Sequence, residues 1–141
     1  MDITDITDDE VDAIVALWER CGLTRPWNDP RADIALARRT ATSTILIGRC
    51  SGAIVAAAML GFDGHRGWIY YLAVEPELQR GGLGRAMMAA AEAWVRAQGA
   101  PKLQLMVRGA NAAAVGFYAA LGYRQDDVVV IGKRFDSGDR A

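Results

Sequence analysis

The sequence is poor in the features that mark secreted and membrane proteins. It contains two cysteines, Cys21 and Cys50, which lie far apart in segments of ordinary composition and so favour reduced thiols over a disulfide framework. It has no run of about 18 uninterrupted apolar residues, so no membrane span is expected. The acidic start, Met1–Asp5, lacks the basic residues and the apolar run of a secretory signal peptide. We therefore expect a cytoplasmic protein without disulfide bonds.

The sequence also lacks an excess of charge of either sign. Its 16 lysines and arginines stand against 17 aspartates and glutamates, for a formal net charge of −1. No overall field attracts nucleic acid or an anionic membrane. With 141 residues, 52% of them hydrophobic, the chain can bury one core and has no room for two ordinary domains. We expect a single domain over residues 1–141 that binds neither nucleic acid nor membrane.

The most informative segment, residues 72–86, passes from a strand-like run through a glycine-rich turn into a helical pattern. A helix start carries N–H groups without intrahelical acceptors and a partial positive charge, and glycine lets a pyrophosphate approach the backbone closely. Arginines flanking such a start are unfavourable unless an anion is bound nearby. The glycines are Gly81, Gly82 and Gly84, and the arginines are Arg80 and Arg85. The segment predicts a phosphate-binding turn, with a plain glycine-rich loop before a surface helix as the alternative.

Two other phosphate motifs are excluded in this segment. A P-loop requires lysine and then serine or threonine after its last glycine, whereas Arg85 and Ala86 follow Gly84. A dinucleotide fingerprint requires glycine or alanine where Met87 stands. The turn is therefore neither of these two motifs.

Two motifs in this order resemble the GNAT superfamily of N-acetyltransferases. Gln79–Gly84 fits the family's Gln/Arg-x-x-Gly-x-Gly/Ala motif. Asn111–Tyr123 looks like the family's Asn-x-x-Ala-x-x-Phe/Leu-Tyr-x-x-x-Gly-Phe/Tyr helix, and the chain is similar to the bacterial YpeA-like subgroup, close to the ribosomal-alanine enzymes. The resemblance implies transfer of acetyl from acetyl-CoA to a primary amine by direct attack, without a metal or an acyl-enzyme intermediate. A small-molecule amine is the first expectation for the acceptor. The alternatives are a protein N-terminus or lysine, or a CoA-binding sensor without turnover.

The periodicity of the sequence predicts a mixed α/β sheet with helices on both faces. Strands are expected at 2–7, 43–49, 54–62, 68–74, 102–107, 123–129 and 130–135, and helices at 8–21, 31–39, 82–98 and 111–121. The resemblance adds the GNAT fold, with a mostly antiparallel sheet of about six to seven strands. It also implies a splayed cleft for the pantetheine arm between the fourth and fifth strands. Exposed edge strands make a homodimer plausible.

The resemblance implies a set of cofactor-binding residues on the fourth strand, the glycine-rich turn and the last helix. They are Leu72, Ala73, Val74, Gln79, Arg80, Gly81, Gly82, Leu83, Gly84, Arg85, Asn111 and Phe117. Backbone groups of Leu72 and Val74 are expected to pair with the pantetheine amides like an added strand. Core packing is the alternative for these two side chains, and a helix N-cap is the alternative for Asn111.

Tyr118 is the residue that the resemblance assigns to catalysis, as donor of a hydrogen bond or proton to the leaving sulfur. An unperturbed tyrosine has a pKa of about 10, so it is protonated at neutral pH. The alternative is a phenol that packs beside Phe117.

The proton acceptor is less well defined by the sequence. Trp68 and Met106 stand where relatives carry a glutamate on the fourth or fifth strand, so the expected carboxylate is missing. The remaining candidates are Asp29, Asp63, His65, Glu75 and Tyr70. A solvent-exposed hairpin position is the alternative for His65, and turn stabilisation is the alternative for Asp63.

The acceptor itself is expected to meet the loop at residues 25–30 and the fourth strand. In that loop, Trp27 is expected to stack on an amine-bearing group, and Asp29 to pair with its charge. Pinning of the loop by Trp27 is an equal alternative. Strand alternation places Tyr70 and Leu72 on one face and Tyr71 on the other. The candidate acceptor-binding residues are Trp27, Asn28, Asp29, His65 and Tyr70.

Overall fold

The computed structural model describes residues 1–136, which form five strands and four helices. The strands are β1 (Asp2–Asp5), β2 (Ser43–Cys50), β3 (Ala53–Phe62), β4 (Gly67–Val74) and β5 (Leu103–Leu105). The helices are α1 (Val11–Arg20), α2 (Pro30–Arg38), α3 (Leu83–Ala97) and α4 (Ala112–Ala120). Short 3₁₀ turns at Asp8–Glu10 and Pro76–Leu78 precede α1 and α3. No helix in this part of the chain combines the length and the apolar character needed to cross a membrane.

The strands form one sheet in the order β1-β2-β3-β4-β5. The first four strands pair antiparallel, as expected for strands joined by short turns, whereas β5 pairs parallel to β4. A parallel neighbour requires a crossover, and α3 provides it between β4 and β5. The predicted mixed, mostly antiparallel sheet is confirmed.

Helices cover both faces of the sheet, as predicted. On one face, α1 and α2 bury a cluster that includes Trp18, Ile34 and Ile45. On the other face, α3 buries Met87 and Met88 in a second cluster, and α4 packs against this cluster. The sheet therefore separates two cores, each formed by one pair of helices.

A β-bulge in β4 reverses the expected alternation of its side chains. Tyr70 pairs across the sheet with Met59, which packs against the core under α1 and α2, and Tyr71 packs against the same core. Leu72 packs on the opposite face, with α3 and α4. The prediction that Tyr70 shares a face with Leu72 is wrong, because Tyr71 adopts a φ of +56° and adds an extra residue opposite β3.

The sheet opens between β4 and β5, as predicted. The two strands pair over three positions only, ending at Ile69 and Leu105, whereas β4 stays paired with β3 as far as Val74. Beyond Ile69, β4 therefore has a strand neighbour on one side only within residues 1–136. This open edge is a place where another extended chain can form backbone hydrogen bonds.

The predicted final strands, 123–129 and 130–135, do not form, so the sheet has five strands instead of six to seven within the described residues. Val128, Val129, Val130 and Ile131 are 67–90% exposed and pack in neither core. Side chains hold the segment instead, with the Lys102 ammonium 2.7 Å from Asp126. High β-propensity produces a strand only where a partner strand is available. The edge strand β5 has only three residues, so it offers the final segment little to pair with. The predicted domain extends to residues 137–141, which lie outside the described residues.

Candidate active site

A groove of about 940 Å³ lies where β4 and β5 separate. Its floor consists of strand residues and the position that follows β5: Ser43, Met59, Ile69, Tyr70, Tyr71, Leu72, Leu105 and Met106. What we call the α2 wall consists of Leu23, Arg25, Asn28, Asp33, Leu36, Ala37 and Thr40. The α4 wall consists of Val107, Arg108, Asn111, Ala114 and Tyr118. The groove thus connects the two helical faces of the sheet.

The glycine-rich turn leads from the end of β4 into α3. Gly82 is the N-cap of α3 and has a φ of +89°, a conformation that favours glycine. The first backbone bond of the helix runs from Ala86 N to Gly82 O at 3.1 Å. The N–H groups of Leu83, Gly84 and Arg85 therefore precede the first intrahelical bond and face outward as donors. The helix start is a concentrated source of positive potential.

The remaining residues of the turn shape this helix start. Gln79 Nε2 donates to the Val74 carbonyl at 3.1 Å, which ties the turn to the end of β4. Arg80 has a φ of +68°, and Gly81 separates it from the cap. The side chains of Arg80 and Arg85 are exposed and have no ion pair within residues 1–136. Two unpaired arginines therefore flank a helix start that already favours anions.

Gly84 brings α3 against α4. A Cβ at this position would lie 3.1 Å from the Phe117 ring, so only glycine fits without displacing that ring. Phe117 packs in the second core, and its ring meets the Tyr118 ring edge-on at 5.0 Å. The glycine-rich turn and Tyr118 are thereby held in fixed relation through Phe117.

The predicted residues of β4 differ in their surroundings. Leu72 lines the groove, and Ala73 is buried in the first core. The Val74 carbonyl accepts hydrogen bonds from Gln79 and from Cys21 Sγ, which lies 3.2 Å away. Burial raises the pKa of the Cys21 thiol, so the thiol is neutral and serves as the donor. The Val74 carbonyl is therefore already engaged, whereas Leu72 lies in the open stretch of the strand.

Tyr118 lies on the α4 wall, half-buried between two other aromatic rings. Its ring meets Tyr123 edge-on at 5.8 Å, in addition to its contact with Phe117. Burial raises the pKa of Tyr118 to about 12. Within residues 1–136 its hydroxyl makes no hydrogen bond, whereas the Tyr123 hydroxyl donates to Glu92 at 2.7 Å. Tyr118 is a protonated phenol in the groove whose hydrogen is not engaged elsewhere in the described chain.

Asn111 is the N-cap of α4. Its side-chain oxygen accepts a hydrogen bond from Ala114 N at 3.1 Å. Asn111 also lines the groove, as Tyr118 does. Capping leaves the side-chain NH₂ group as the donor that Asn111 can offer to a bound molecule.

The loop before α2 places only one of its three predicted residues in the groove. Asn28 lines the groove and accepts from Arg134 Nη1 at 3.2 Å. Asp29 instead caps α2 by accepting from Arg31 N at 3.0 Å and Ala32 N at 3.2 Å. Trp27 lies under the guanidinium of Arg108, whose Cζ is 5.6 Å from the ring centroid. The side chain of Asp29 is thus engaged by the backbone, and a cation already covers the ring of Trp27.

The turn between β3 and β4 does not reach the groove. Asp63 accepts from His65 N at 2.8 Å and Arg66 N at 2.7 Å, and these backbone bonds lower the pKa of its carboxyl. His65 is exposed beside Arg66 and does not line the groove. Asp63 also accepts from Trp68 Nε1, and the Trp68 ring stacks on Tyr70. This turn therefore stabilises the hairpin and contributes to the groove only through Tyr70.

The other two proton-acceptor candidates are constrained by their surroundings. Glu75 forms an ion pair with Arg20 at 2.6 Å, and this bond lowers the pKa of the carboxyl. Tyr70 lines the groove with 40% of its surface exposed, and burial raises its pKa. Glu75 is bonded to Arg20 and does not line the groove, and the raised pKa of Tyr70 keeps its phenol protonated at neutral pH, so neither group is placed to accept the proton.

Sequence reasoning missed a carboxylate in the groove, Asp33. It is the one acidic side chain among the lining residues of the described chain, and the Tyr71 hydroxyl donates to its Oδ2 at 2.7 Å. Tyr71 stacks on Trp18 with ring centroids 4.0 Å apart, and burial followed by Asp33 raises its pKa. Asp33 lies four residues after Asp29, which was predicted as an acceptor-binding residue, so helical spacing carried a signal for its face. The orientation of Tyr71 had no such signal in the sequence. A bulge with a positive φ is usually indicated by glycine, and this bulge contains none.

Within residues 1–136, no group of three or more histidine, cysteine, aspartate or glutamate side chains is arranged to hold a metal ion. The chemistry available in the groove is that of a half-buried phenol, Tyr118, with one carboxylate, two arginines and an open strand edge. A helix start rich in free N–H groups lies beyond the end of that strand. This combination suits a long anionic molecule that lies along β4 and a second molecule that enters from α2.

Comparison with known proteins agrees with this geometry. The model of the acetyltransferase (GNAT) family matches residues 5–123. An acetyltransferase of Pectobacterium atrosepticum is 41% identical over 134 residues, which cover 95% of each chain. The aminoglycoside N-acetyltransferase AAC(6')-Iy, solved with a CoA bisubstrate analogue, aligns with a TM-score of 0.79 and 17% identity over 94% of this chain and 97% of that chain. The ribosomal-protein-S18-alanine N-acetyltransferase of Escherichia coli aligns with a TM-score of 0.75 and 23% identity over 89% and 78%, respectively. The chain belongs to the GNAT family of acetyltransferases.

Proposed function

We propose that this acetyltransferase transfers acetyl from acetyl-CoA to the primary amine of a small molecule in the groove between β4 and β5. The observation that carries the proposal is the continuity of the site. The open edge of β4 runs from the groove, where Tyr118 lies, to the turn that begins α3. One extended donor can therefore contact the helix start, the strand edge and the phenol together.

The residues along this path fit acetyl-CoA. The N–H groups of Leu83, Gly84 and Arg85, with the guanidiniums of Arg80 and Arg85, would hold the pyrophosphate. The edge of β4 around Leu72 would pair with the pantetheine amides. Glycine at 82 and 84 keeps the backbone approachable and the α3–α4 contact close. The CoA analogue bound to AAC(6')-Iy, a protein of the same fold, supports this choice of donor.

Tyr118 is proposed as the general acid. When bound, acetyl-CoA supplies an activated thioester whose carbonyl carbon is open to attack by an amine. As the C–N bond forms and the C–S bond breaks, the Tyr118 Oη–H would donate a proton to the departing sulfur. Because the pKa of Tyr118 is about 12, the hydroxyl carries its proton throughout the neutral range. The phenol needs no further group to keep it protonated.

Asp33 is proposed to bind the acceptor amine. It is the acidic side chain of the groove, and its bond to Tyr71 fixes one of its carboxylate oxygens. A primary alkylamine has a pKa of about 10.4, so it arrives as a cation and must lose a proton before it attacks. Asp33 would attract the cation and is the lining carboxylate that can accept this proton. Tyr71 would act as a positioning residue for Asp33.

The proposal is tested by measuring thiol release from acetyl-CoA against polyamines, amino sugars, amino acids and alanine-starting peptides. CoA binding is measured in parallel by calorimetry. Release with at least one small amine is the expected result. Release with peptides alone would move the assignment to a protein N-terminus, and CoA binding without release from any amine would favour a sensor. Absence of CoA binding would overturn the proposal.

A further inference from the structure

We infer that the acceptor carries a carboxylate as well as its amine, and that Arg25 and Arg108 bind this carboxylate. The inference rests on the proposed function, because it concerns the molecule that receives the acetyl group. It assigns the acceptor to small amines of the amino-acid type and distinguishes them from polyamines and amino sugars.

The first observation is that both arginines line the groove without an acidic partner. Arg25 belongs to the α2 wall and Arg108 to the α4 wall, and neither has a carboxylate within ion-pair distance in residues 1–136. Six of the other eleven arginines in residues 1–136 form ion pairs, and none of the remaining five lines the groove. The six paired ones are Arg20, Arg31, Arg38, Arg49, Arg96 and Arg134. Unpaired guanidiniums in a cavity therefore distinguish this part of the groove.

The second observation is that both guanidiniums are held in place. Arg25 Nη1 donates to Gly22 O at 2.8 Å and Thr24 O at 2.9 Å, so its Nε and Nη2 donors remain for another acceptor. Those two donors match the two oxygens of a carboxylate. Arg108 rests on the ring of Trp27, two residues from Arg25 in the chain. The α1–α2 loop thus orients one arginine directly and supports the other.

The third observation is the balance of charge in the groove. Its charged lining side chains are Arg25, Arg108 and Asp33, so the groove carries one excess positive charge. A polyamine brings several cations, and those not paired with Asp33 would face the arginines, whereas an amino sugar brings no anion to pair with them. An amine with one carboxylate gives each charge an opposite partner. Leu23, Leu36 and Met59 line the groove as well and accommodate an apolar side chain.

The test uses matched acceptors that differ only in the carboxylate. Alanine, leucine, methionine and phenylalanine are each compared with the corresponding amide and with the decarboxylated amine, in the thiol-release assay with acetyl-CoA. We expect kcat/KM for at least one amino acid to exceed that of its amide and amine by roughly 10- to 100-fold, as for a hydrogen-bonded charge pair. The variants R25Q and R108Q should remove this preference mainly by raising KM for the amino acid, and R108E should reverse it.

Controls separate binding from folding. R124Q changes an exposed arginine that does not line the groove and should keep the wild-type preference. Thermal unfolding is measured for every variant, because Arg25 also bonds to the backbone of its own loop and Arg108 rests on the Trp27 ring.

The outcomes distinguish the inference from the proposed function. Equal or faster acetylation of the amides and decarboxylated amines would overturn the carboxylate assignment and leave an N-acetyltransferase. An amino-acid preference that persists in folded R25Q and R108Q would overturn the role of these arginines. Faster acetylation of acidic peptides than of any free amino acid would overturn the small acceptor. Absence of thiol release with every amine would overturn the proposed function, and the inference would fall with it.

Discussion

The two ends of the groove are built in different ways. At the end proposed to bind the donor, which we call the donor end, the turn of residues 79–85 presents backbone N–H groups at the start of α3, and its shape depends on glycine. At the acceptor end, the walls present side chains that come from distant parts of the chain, such as Asp33 and Arg108. A site formed by backbone groups accepts ligands that differ away from the bound group, but it restricts which residue types can stand at its positions. A site formed by side chains can change its ligand through single substitutions. If the two ends bind donor and acceptor as proposed, the donor end is the part that tolerates few substitutions and the acceptor end is the part that can vary.

The largest effect is expected from placing a carboxylate in the backbone-built end. G82D puts a negative charge where the pyrophosphate is proposed to bind, and we expect at least about a 100-fold loss of CoA affinity. Aspartate is a good N-cap, which offsets part of the cost of the positive φ and favours folding. Calorimetric titration with CoA provides the measurement.

A matched control for this substitution is G99D. Gly99 also has a positive φ, of +93°, with open space around its Cα, but it follows the other end of α3. It should bind CoA as the wild type does. Unchanged CoA affinity in G82D would remove the glycine-rich turn from the donor site.

The next effect concerns the phenol between the two ends. Y118F removes the proposed acid, and we expect kcat to fall by about 100-fold, the lower range for general acid catalysis, with CoA affinity unchanged. Y123F is the control, because Tyr123 belongs to the same aromatic cluster but bonds to Glu92 and does not line the groove. Wild-type turnover in Y118F would exclude the acid role.

A smaller effect is expected at the side-chain-built end. D33N removes the charge that is proposed to bind the amine, and we expect kcat/KM to fall by roughly 10-fold through loss of one charged hydrogen bond. CoA affinity should not change, since Asp33 lies on the α2 wall. D12N, at an exposed aspartate that pairs with Arg31 outside the groove, is the control. Steady-state kinetics with varied amine that give equal values for D33N and wild type would show that the amine binds elsewhere.

The smallest effect concerns stability in alkali. Burial raises the pKa of Tyr118 to about 12, whereas an unfolded tyrosine has a pKa of about 10. Below pH 10 the phenol is protonated in both states, and its contribution to stability is complete. Between about pH 10 and 12 the unfolded chain releases the proton and the folded chain keeps it, so the free energy of unfolding falls as pH rises. Y118F should show a shallower fall than wild type in urea unfolding at pH 9, 10 and 11, and parallel curves would contradict the burial of this phenol.

The shape of the turn at the donor end was predictable because its signal is local. Glycine spacing and the strand-turn-helix order lie in consecutive residues, and the N-cap falls at Gly82, where the sequence placed the start of the helix. The helices and the first four strands were predictable for the same reason, since their periodicity is read along one segment. These elements account for both cores and for the opening between β4 and β5.

The acceptor end was not predictable, because contacts between distant residues define it. Asp29 was predicted to bind the amine because of its charge, but its carboxylate accepts a hydrogen bond from the backbone at the start of α2. Asp33, one turn later, lines the groove instead. The Arg108–Trp27 contact joins segments about eighty residues apart and has no local pattern. The prediction of the final strands was wrong for a related reason. A run of β-branched residues shows β-propensity, but it does not show whether a partner strand is available.

The bulge at Tyr71 has a consequence for how mutations in β4 are interpreted. Residues before the bulge follow one alternation of inner and outer faces, and residues after it follow the other. In a saturation scan of Gly67–Val74, positions that tolerate substitution should therefore alternate with positions that do not. This alternation should shift by one residue at Tyr71. Deleting a single residue there would make the alternation regular along the whole strand. The side chains at the end of the strand would then face the helices on the opposite side of the sheet. The bulge thus determines which core the side chains of each half of β4 pack against.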